Sequence, residues 1–178
     1  MNNKGFTLIE ILIALLLVSA LAVLASTSFF TLLKGAVKSE TLKEVKQNGE
    51  YAIGVLELKI RNARSIGSTC DGSIQSSIQI QNPDQTTTTF SCVTDAQAGV
   101  RRLRQSTGGV NTYLTNTQVT ISQNCNTPNV SFTCTTDAID GKSKTVAVSF
   151  ILSQANAAAP VPEQATETFR TEVALRNK

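Results

Sequence analysis

The amino-terminal stretch Lys4-Gly5-Phe6-Thr7-Leu8-Ile9-Glu10 is followed by an apolar run at residues 11–33. The run contains no charged side chain, is rich in Leu, Ile, Ala and Val, and is closed by Lys34. As a helix rising about 1.5 Å per residue it is about 35 Å long, enough to cross a hydrocarbon core of about 30 Å. We therefore predict a membrane-spanning helix at residues 6–33.

Glu10 introduces a charge at the start of this apolar helix. A carboxylate at the centre of a membrane helix costs about 2.5–3.5 kcal/mol on insertion scales, and ionisable residues inside membranes usually mark function. Glu10 therefore needs a partner. A secretory signal peptide is an alternative interpretation, with small-residue cleavage sites near residues 19–22 or 24–26, but these sites lie inside or near the end of the run.

The residues around Gly5 resemble the processing site of type IV prepilins and pseudopilins: a basic residue, then Gly, Phe, Thr, Leu, Ile and Glu, then an apolar run. The resemblance implies that a prepilin peptidase removes a leader peptide at residues 1–5 and that Phe6 becomes the N-methylated amino terminus. It also implies that Glu10 docks against the freed α-amino group of Phe6 in a neighbouring subunit, because on one helix that amine lies about 6 Å away along the axis. The alternative is a plain signal anchor that contains Glu10.

Beyond Lys34 the pattern becomes amphipathic. Apolar residues recur at three- and four-residue steps, with Gly49 filling a gap: Leu42, Val45, Ala52, Leu56, Ile60 and Ala63. No proline precedes Pro83, so we predict one helix from Phe6 to about Ile66, roughly 90 Å long, with an amphipathic half at residues 34–66. Such a length is typical of a pilin stem.

Residues 67–178 predict a β-rich globular head. Alternating patterns at residues 73–80 and 86–93 flank a turn at residues 82–85 and predict a hairpin. Further strands are predicted at residues 100–105, 118–123, 130–133, 145–152 and 166–176, with a proline-containing loop at residues 155–164. The predicted fold class is α+β, the type IV pilin fold, in which a long amino-terminal helix packs on an antiparallel β-sheet head.

Four cysteines, Cys70, Cys92, Cys125 and Cys134, follow the apolar run, and their even number favours two disulfides. Three pairings are open. Hairpins folded about residues 82–85 and 127–129 favour Cys70–Cys92 and Cys125–Cys134. A zinc site is the less favoured alternative, because no C-x-x-C pair and no histidine is present.

Composition excludes several function classes. The chain has no histidine, which removes the commonest general base and zinc ligand, so we expect no catalytic residue, no metal and no cofactor. Arg101, Arg102 and Arg104 form a basic cluster and a candidate DNA contact, although the net charge of +3 and the absence of interleaved aromatic residues favour a solvated strand. Asp137 and Asp140 are predicted to be turn residues rather than calcium ligands.

Residues 47–53, 58–64 and 173–177 resemble minor pilins of the PilW kind and the J-type pseudopilin. The combined resemblance implies a structural subunit, a minor pilin or pseudopilin, of a type IV pilus-like filament. Its implied partners are prepilin peptidase, other pilins, the inner-membrane assembly platform and membrane lipid. The implied location is the inner membrane, with the head outside the cytoplasm, and then a periplasmic or extracellular pilus.

The role of such a filament stays open at this point. Pilus biogenesis, adhesion, motility, DNA uptake and type II secretion all fit the same amino terminus. A DNA-binding or adhesin module that is merely displayed on a pilus is the competing class.

Overall fold

A computed structural model describes residues 5, 7–126, 129–136, 144–155 and 165–176. These residues contain a helix, α1 (Leu8–Arg61), followed by ten strands. The strands are β1 (Ser65–Ile66), β2 (Asp71–Gln75), β3 (Ser77–Gln81), β4 (Thr87–Asp95), β5 (Val100–Thr107), β6 (Val110–Tyr113), β7 (Val119–Ile121), β8 (Val130–Thr136), β9 (Lys144–Gln154) and β10 (Thr166–Ala174). The α+β, pilin-like prediction is confirmed, because a long apolar helix packs on antiparallel sheets.

Helix α1 is unbroken from the apolar run into the head, but it ends earlier than predicted. Its last turn is tightened by the Ala63 amide, which donates to the Ile60 carbonyl at 3.1 Å. The Arg64 amide then donates to the Gln81 carbonyl at 2.8 Å, which begins strand pairing. Ile66, predicted to be helical, is therefore buried in β1.

The carboxyl-terminal half of α1 buries the face that periodicity predicted. The buried helical residues are Thr41, Val45, Gly49, Ala52, Leu56 and Ile60. Gly49 allows the closest approach to the sheet, since a Cβ there would overlap the ring of Phe169 on β10. Phe169 in turn stacks on Phe150 of β9, with ring centroids 5.4 Å apart. A helix glycine is therefore required here by packing.

The strands form two antiparallel sheets. The first has the order β1-β3-β4-β5-β6, and the second has the order β10-β9-β8-β2, with β7 also pairing to β9. Helix α1 packs against β10. In this contact Nζ of Lys46 lies 3.5 Å from Oε1 of Glu167, and the Thr171 hydroxyl donates a hydrogen bond to the Glu57 carboxylate. Buried side chains from both sheets and from the helix form one core, which includes Phe90, Phe132, Phe150, Leu103 and Leu56.

Two strand predictions need correction. The predicted strand at residues 73–80 is interrupted at Ser76, so that β3 forms the predicted hairpin with β4 whereas β2 pairs with β8 in the second sheet. Strand β6 was not predicted; it forms an exposed edge joined to β5 by the turn at Gly108 and Gly109, both with positive φ. Residues 156–164 of the predicted loop, together with Asp137 and Asp140, lie outside the described residues.

The predicted disulfide pairing is wrong. The structure joins Cys70 to Cys134 and Cys92 to Cys125. Because β2 leaves the predicted hairpin, Asp71 pairs with Thr135 and brings Cys70 beside Cys134. Strands β7 and β8 both pair with β9 instead of with each other, so no hairpin joins Cys125 to Cys134. The Cys92–Cys125 bond thus links β4 of the first sheet to the segment between β7 and β8 of the second, whereas the Cys70–Cys134 bond joins the start of β2 to β8 within the second sheet.

We predict that Gly49→Ala destabilises the protein because the new methyl group must displace Phe169. Overpacking of this kind costs about 1–3 kcal/mol of the free energy of unfolding. Gly54→Ala is the matched control, since no described atom lies within 4 Å of a Cβ at that position and alanine favours the helix by about 1 kcal/mol. In urea unfolding of the full chain in detergent, the free energy of unfolding should be higher than wild type for Gly54→Ala and lower than wild type for Gly49→Ala. Equal stability of the two variants would contradict the packing.

Trypsin without reduction tests the disulfides. Cleavage at Arg64, Arg101, Arg104 and Lys142 yields residues 65–101 with Cys70 and Cys92, and residues 105–142 with Cys125 and Cys134. The structure predicts that these two peptides stay joined until they are reduced. Further cleavage before Asp84 separates Cys70 from Cys92, and cleavage after Phe132 separates Cys125 from Cys134. The peptide that contains Cys70 should then stay joined to the peptide that contains Cys134. Two unlinked peptides, each with an internal disulfide, would contradict the structure.

Candidate functional site

The amino-terminal half of α1 has no partner within the described part of its own chain. Every described residue from Thr7 to Glu40 is exposed, including large side chains such as Leu16, Phe29 and Phe30. Among the described residues, α1 is the helix long and apolar enough to span a membrane. Burial of this surface therefore has to come from lipid or from other polypeptide chains.

The hydroxyl groups in this half are compatible with such burial. Five of them donate to backbone carbonyls three or four residues earlier in the helix, at 2.8–3.0 Å. These residues are Ser19, Ser26, Thr27, Ser28 and Thr31. Because each hydroxyl is satisfied within the helix, it can enter an apolar environment without an unpaired donor.

Glu10 is held at the start of α1 by a capping box with Thr7. The Thr7 amide and the Thr7 hydroxyl both donate to Oε2 of Glu10 at 2.9 Å, and the Glu10 amide donates to the Thr7 hydroxyl at 3.3 Å. Thr7 itself is extended, with φ −79° and ψ 152°. The carboxylate thus satisfies donors that the first helical turn would otherwise leave unpaired.

Sequence reasoning assigned Glu10 a partner in another subunit but did not identify Thr7. The signal was present, because Thr-x-x-Glu before an apolar run is the signature of a capping box. Within one chain Glu10 therefore already has two donors on the same oxygen. Phe6, whose α-amino group was the predicted partner, lies outside the described residues.

Gly5 precedes the helix and is exposed. A Cβ added at Gly5 would meet no described atom within 4 Å. The described fold therefore does not itself require a glycine at this position. A requirement for glycine there would have to come from a molecule that binds this segment.

The three arginines on β5 do not form one open basic face. Neighbouring residues of a strand point to opposite sides of the sheet. Nε of Arg101 donates to the Ile121 carbonyl at 2.9 Å, whereas Nε of Arg102 donates to the Thr115 carbonyl at 2.8 Å. Arg102 and Arg104 share a side, but the guanidinium of Arg102 lies 3.9 Å from the ring centre of Tyr113. Two of the three side chains therefore have structural contacts within the head.

Asp95 completes the environment of Arg102. The Arg102 Nη1 atom lies 2.9 Å from Asp95 Oδ2, and both side chains are mostly buried. Oδ1 of Asp95 accepts the Gln97 and Ala98 amides of the following turn. The hydrogen bond from Arg102 holds the pKa of Asp95 below its ordinary value, with smaller contributions from the two amides. This ion pair stabilises the β4–β5 turn.

We predict that Asp95→Asn lowers the urea midpoint of the full chain at pH 7. Because the pKa of Asp95 is lowered by folding, the stabilising contribution is complete above the ordinary Asp value near pH 3.9. It is lost as pH falls through the lower pKa of the folded state. The difference in urea midpoint between wild type and Asp95→Asn should therefore narrow as the pH is lowered below the ordinary Asp value. Glu50→Gln, an exposed change on α1, is the control; a gap for Asp95→Asn that is constant with pH would contradict the ion pair.

Comparison with known proteins gives one match. The family model described as the prokaryotic N-terminal methylation motif matches residues 1–26. Comparisons with curated proteins and with solved structures gave no match. The motif covers the segment from the candidate processing site to the middle of the apolar run, and it supports a type IV pilin-like protein that is processed at its amino terminus. Together with the exposed apolar helix it is consistent with single-pass membrane anchoring.

Proposed function

We propose that this protein is a structural subunit, a minor pilin or pseudopilin, of a type IV pilus-like filament. Residues 1–5 are its leader peptide, residues 6–33 span the membrane before assembly and line the filament core afterwards, and residues 34–66 connect this segment to the head at residues 67–178. The observation that carries the proposal is a methylation motif joined to an apolar helix half that the described chain leaves wholly exposed.

Processing follows from the chemistry around Gly5. Prepilin peptidase cuts the Gly5–Phe6 bond, and Phe6 is then N-methylated. An extended Thr7 and an open space around Gly5 support this, because a protease needs its substrate segment outside a helix. Because the capping box starts α1 at Leu8, the Gly5–Phe6 bond precedes the first helical turn in the sequence.

Assembly uses Glu10 together with Phe6. Among the described residues Thr7 donates to Oε2 of Glu10 and no donor contacts Oε1, so Oε1 can accept a hydrogen bond from the α-ammonium group of Phe6 of a neighbouring subunit. Such a pair between apolar helices fixes their axial register, whatever its net contribution to stability. The inner-membrane assembly platform and the other pilins of the filament are the partners of this step.

The minor, PilW-like or J-type subtype rests on the resemblance of residues 47–53, 58–64 and 173–177. Biogenesis, adhesion, motility, DNA uptake or type II secretion would be the role of the whole filament. DNA contact through Arg101, Arg102 and Arg104 stays a prediction. It is not favoured, because Arg101 and Arg102 already donate to backbone carbonyls within the head. A head displayed outside the cytoplasm is supported by the two disulfides, which persist in oxidising compartments.

Glu10→Gln separates the two roles of this side chain. Glutamine keeps the acceptor for the Thr7 amide in a capping box but removes the charge. We expect Glu10→Gln to be cleaved and retained in the membrane, while its amount in sheared fibres falls by about tenfold, as loss of about 1.4 kcal/mol would produce. Immunoblots of membrane and sheared fractions measure this ratio.

Glu40→Gln, at an exposed glutamate on the same helix, serves as the control and should assemble as wild type does. Wild-type amounts of Glu10→Gln in fibres would contradict a charge-dependent docking step. Absence of the wild-type chain from every sheared fraction would contradict the filament itself.

A further inference from the structure

No contact with the described residues explains why position 54 of α1 is a glycine. It lies in the interior of α1, where glycine weakens a helix relative to alanine. Gly49 is required by the ring of Phe169, but no described atom lies within 4 Å of a Cβ built at Gly54. Its φ is not in the left-handed region either. A glycine that neither packing nor backbone conformation requires suggests a close approach from outside the chain.

The side chains around Gly54 form what we call the outward strip: Gln47, Tyr51, Gly54 and Leu58. Their spacings of three, four and seven place them on one helix face, which is exposed and opposite the buried residues of the stem. Tyr51 is 62% and Leu58 is 61% exposed, so the strip presents two large side chains to its surroundings. Gly54 therefore forms a notch between two projecting apolar side chains about 10 Å apart.

The outward strip is also uncharged. The charged residues of α1 between residues 47 and 58 are Glu50 and Glu57, and both lie to one side of the strip. Glu57 is hydrogen-bonded to Thr171, on the side of the helix that faces β10. A strip without charge can cover apolar surface without burying an unpaired ion.

We propose that the outward strip is a docking site for the apolar helix half, residues 11–33, of a second copy of this chain. That segment is uncharged, fully exposed and rich in large aliphatic side chains, so it matches the strip in charge and in polarity. Glycine allows two helix backbones to approach closely, and large side chains of the incoming helix fill the notch between Tyr51 and Leu58. The inference rests on the proposed filament and specifies which surface of the stem receives a neighbour.

Gly54→Leu tests the notch directly in the full chain. A leucine there fills the space needed by the incoming helix, so the ratio of sheared-fibre to membrane protein should fall by about tenfold, which corresponds to about 1.4 kcal/mol. Ser39→Leu, an exposed position on the same helix outside the strip, should stay within about twofold of wild type. Thermal unfolding in detergent distinguishes a folding defect from a docking defect. The unfolding temperature of Gly54→Leu should equal or exceed that of wild type, because leucine favours a helix more than glycine does.

A photo-cross-linking residue in place of Tyr51 identifies the occupant. In sheared fibres the expected adduct joins this position to a peptide within residues 11–33 of a second copy. An adduct to another polypeptide or to a head segment, or normal incorporation of Gly54→Leu, would overturn the inference and leave the proposed filament intact. Failure of the wild-type chain to enter fibres would overturn both.

Discussion

The apolar half of α1 makes no contact with the described residues of its own head, and the account of function depends on this constraint. A helix of that length and composition is stable in water only when something covers it. Lipid covers it when the chain is anchored, and sister helices cover it in a filament. The same exposed surface therefore supports storage in a membrane and assembly outside it, and a chain that kept this helix buried in its own head could do neither.

The rest of the molecule attaches a disulfide-bonded head to that helix. Gly49 lets α1 approach Phe169, and the stack of Phe169 on Phe150 carries this contact into the second sheet. The Cys92–Cys125 bond then joins the first sheet to the second, and the Cys70–Cys134 bond fastens the start of β2 to β8 within the second sheet. The helix and both sheets thus share one core.

Local patterns were sufficient to predict the helix and most strands. The uncharged run, the stripe that includes Val45, Leu56 and Ile60, and the turn at Asn82 each depend on neighbours in sequence. The pairing of β2 with β8 depends instead on tertiary packing, and residues 73–80 contain no Gly, Pro, Asn or Asp that would have indicated the break at Ser76. Because the cysteine pairing was inferred from the predicted hairpins, it failed with them. The role of Thr7, in contrast, could have been predicted from local sequence, because Thr7 and Glu10 have the spacing of a capping box.

Maturation of the amino terminus is the central chemical event of this account. Intact-mass and fragment spectra of the native polypeptide from sheared fibres measure it directly. The account predicts a chain that begins at Phe6, carries one methyl group on that amine and retains the whole apolar helix. A chain that still begins at Met1, or one that begins after residue 33, would contradict it.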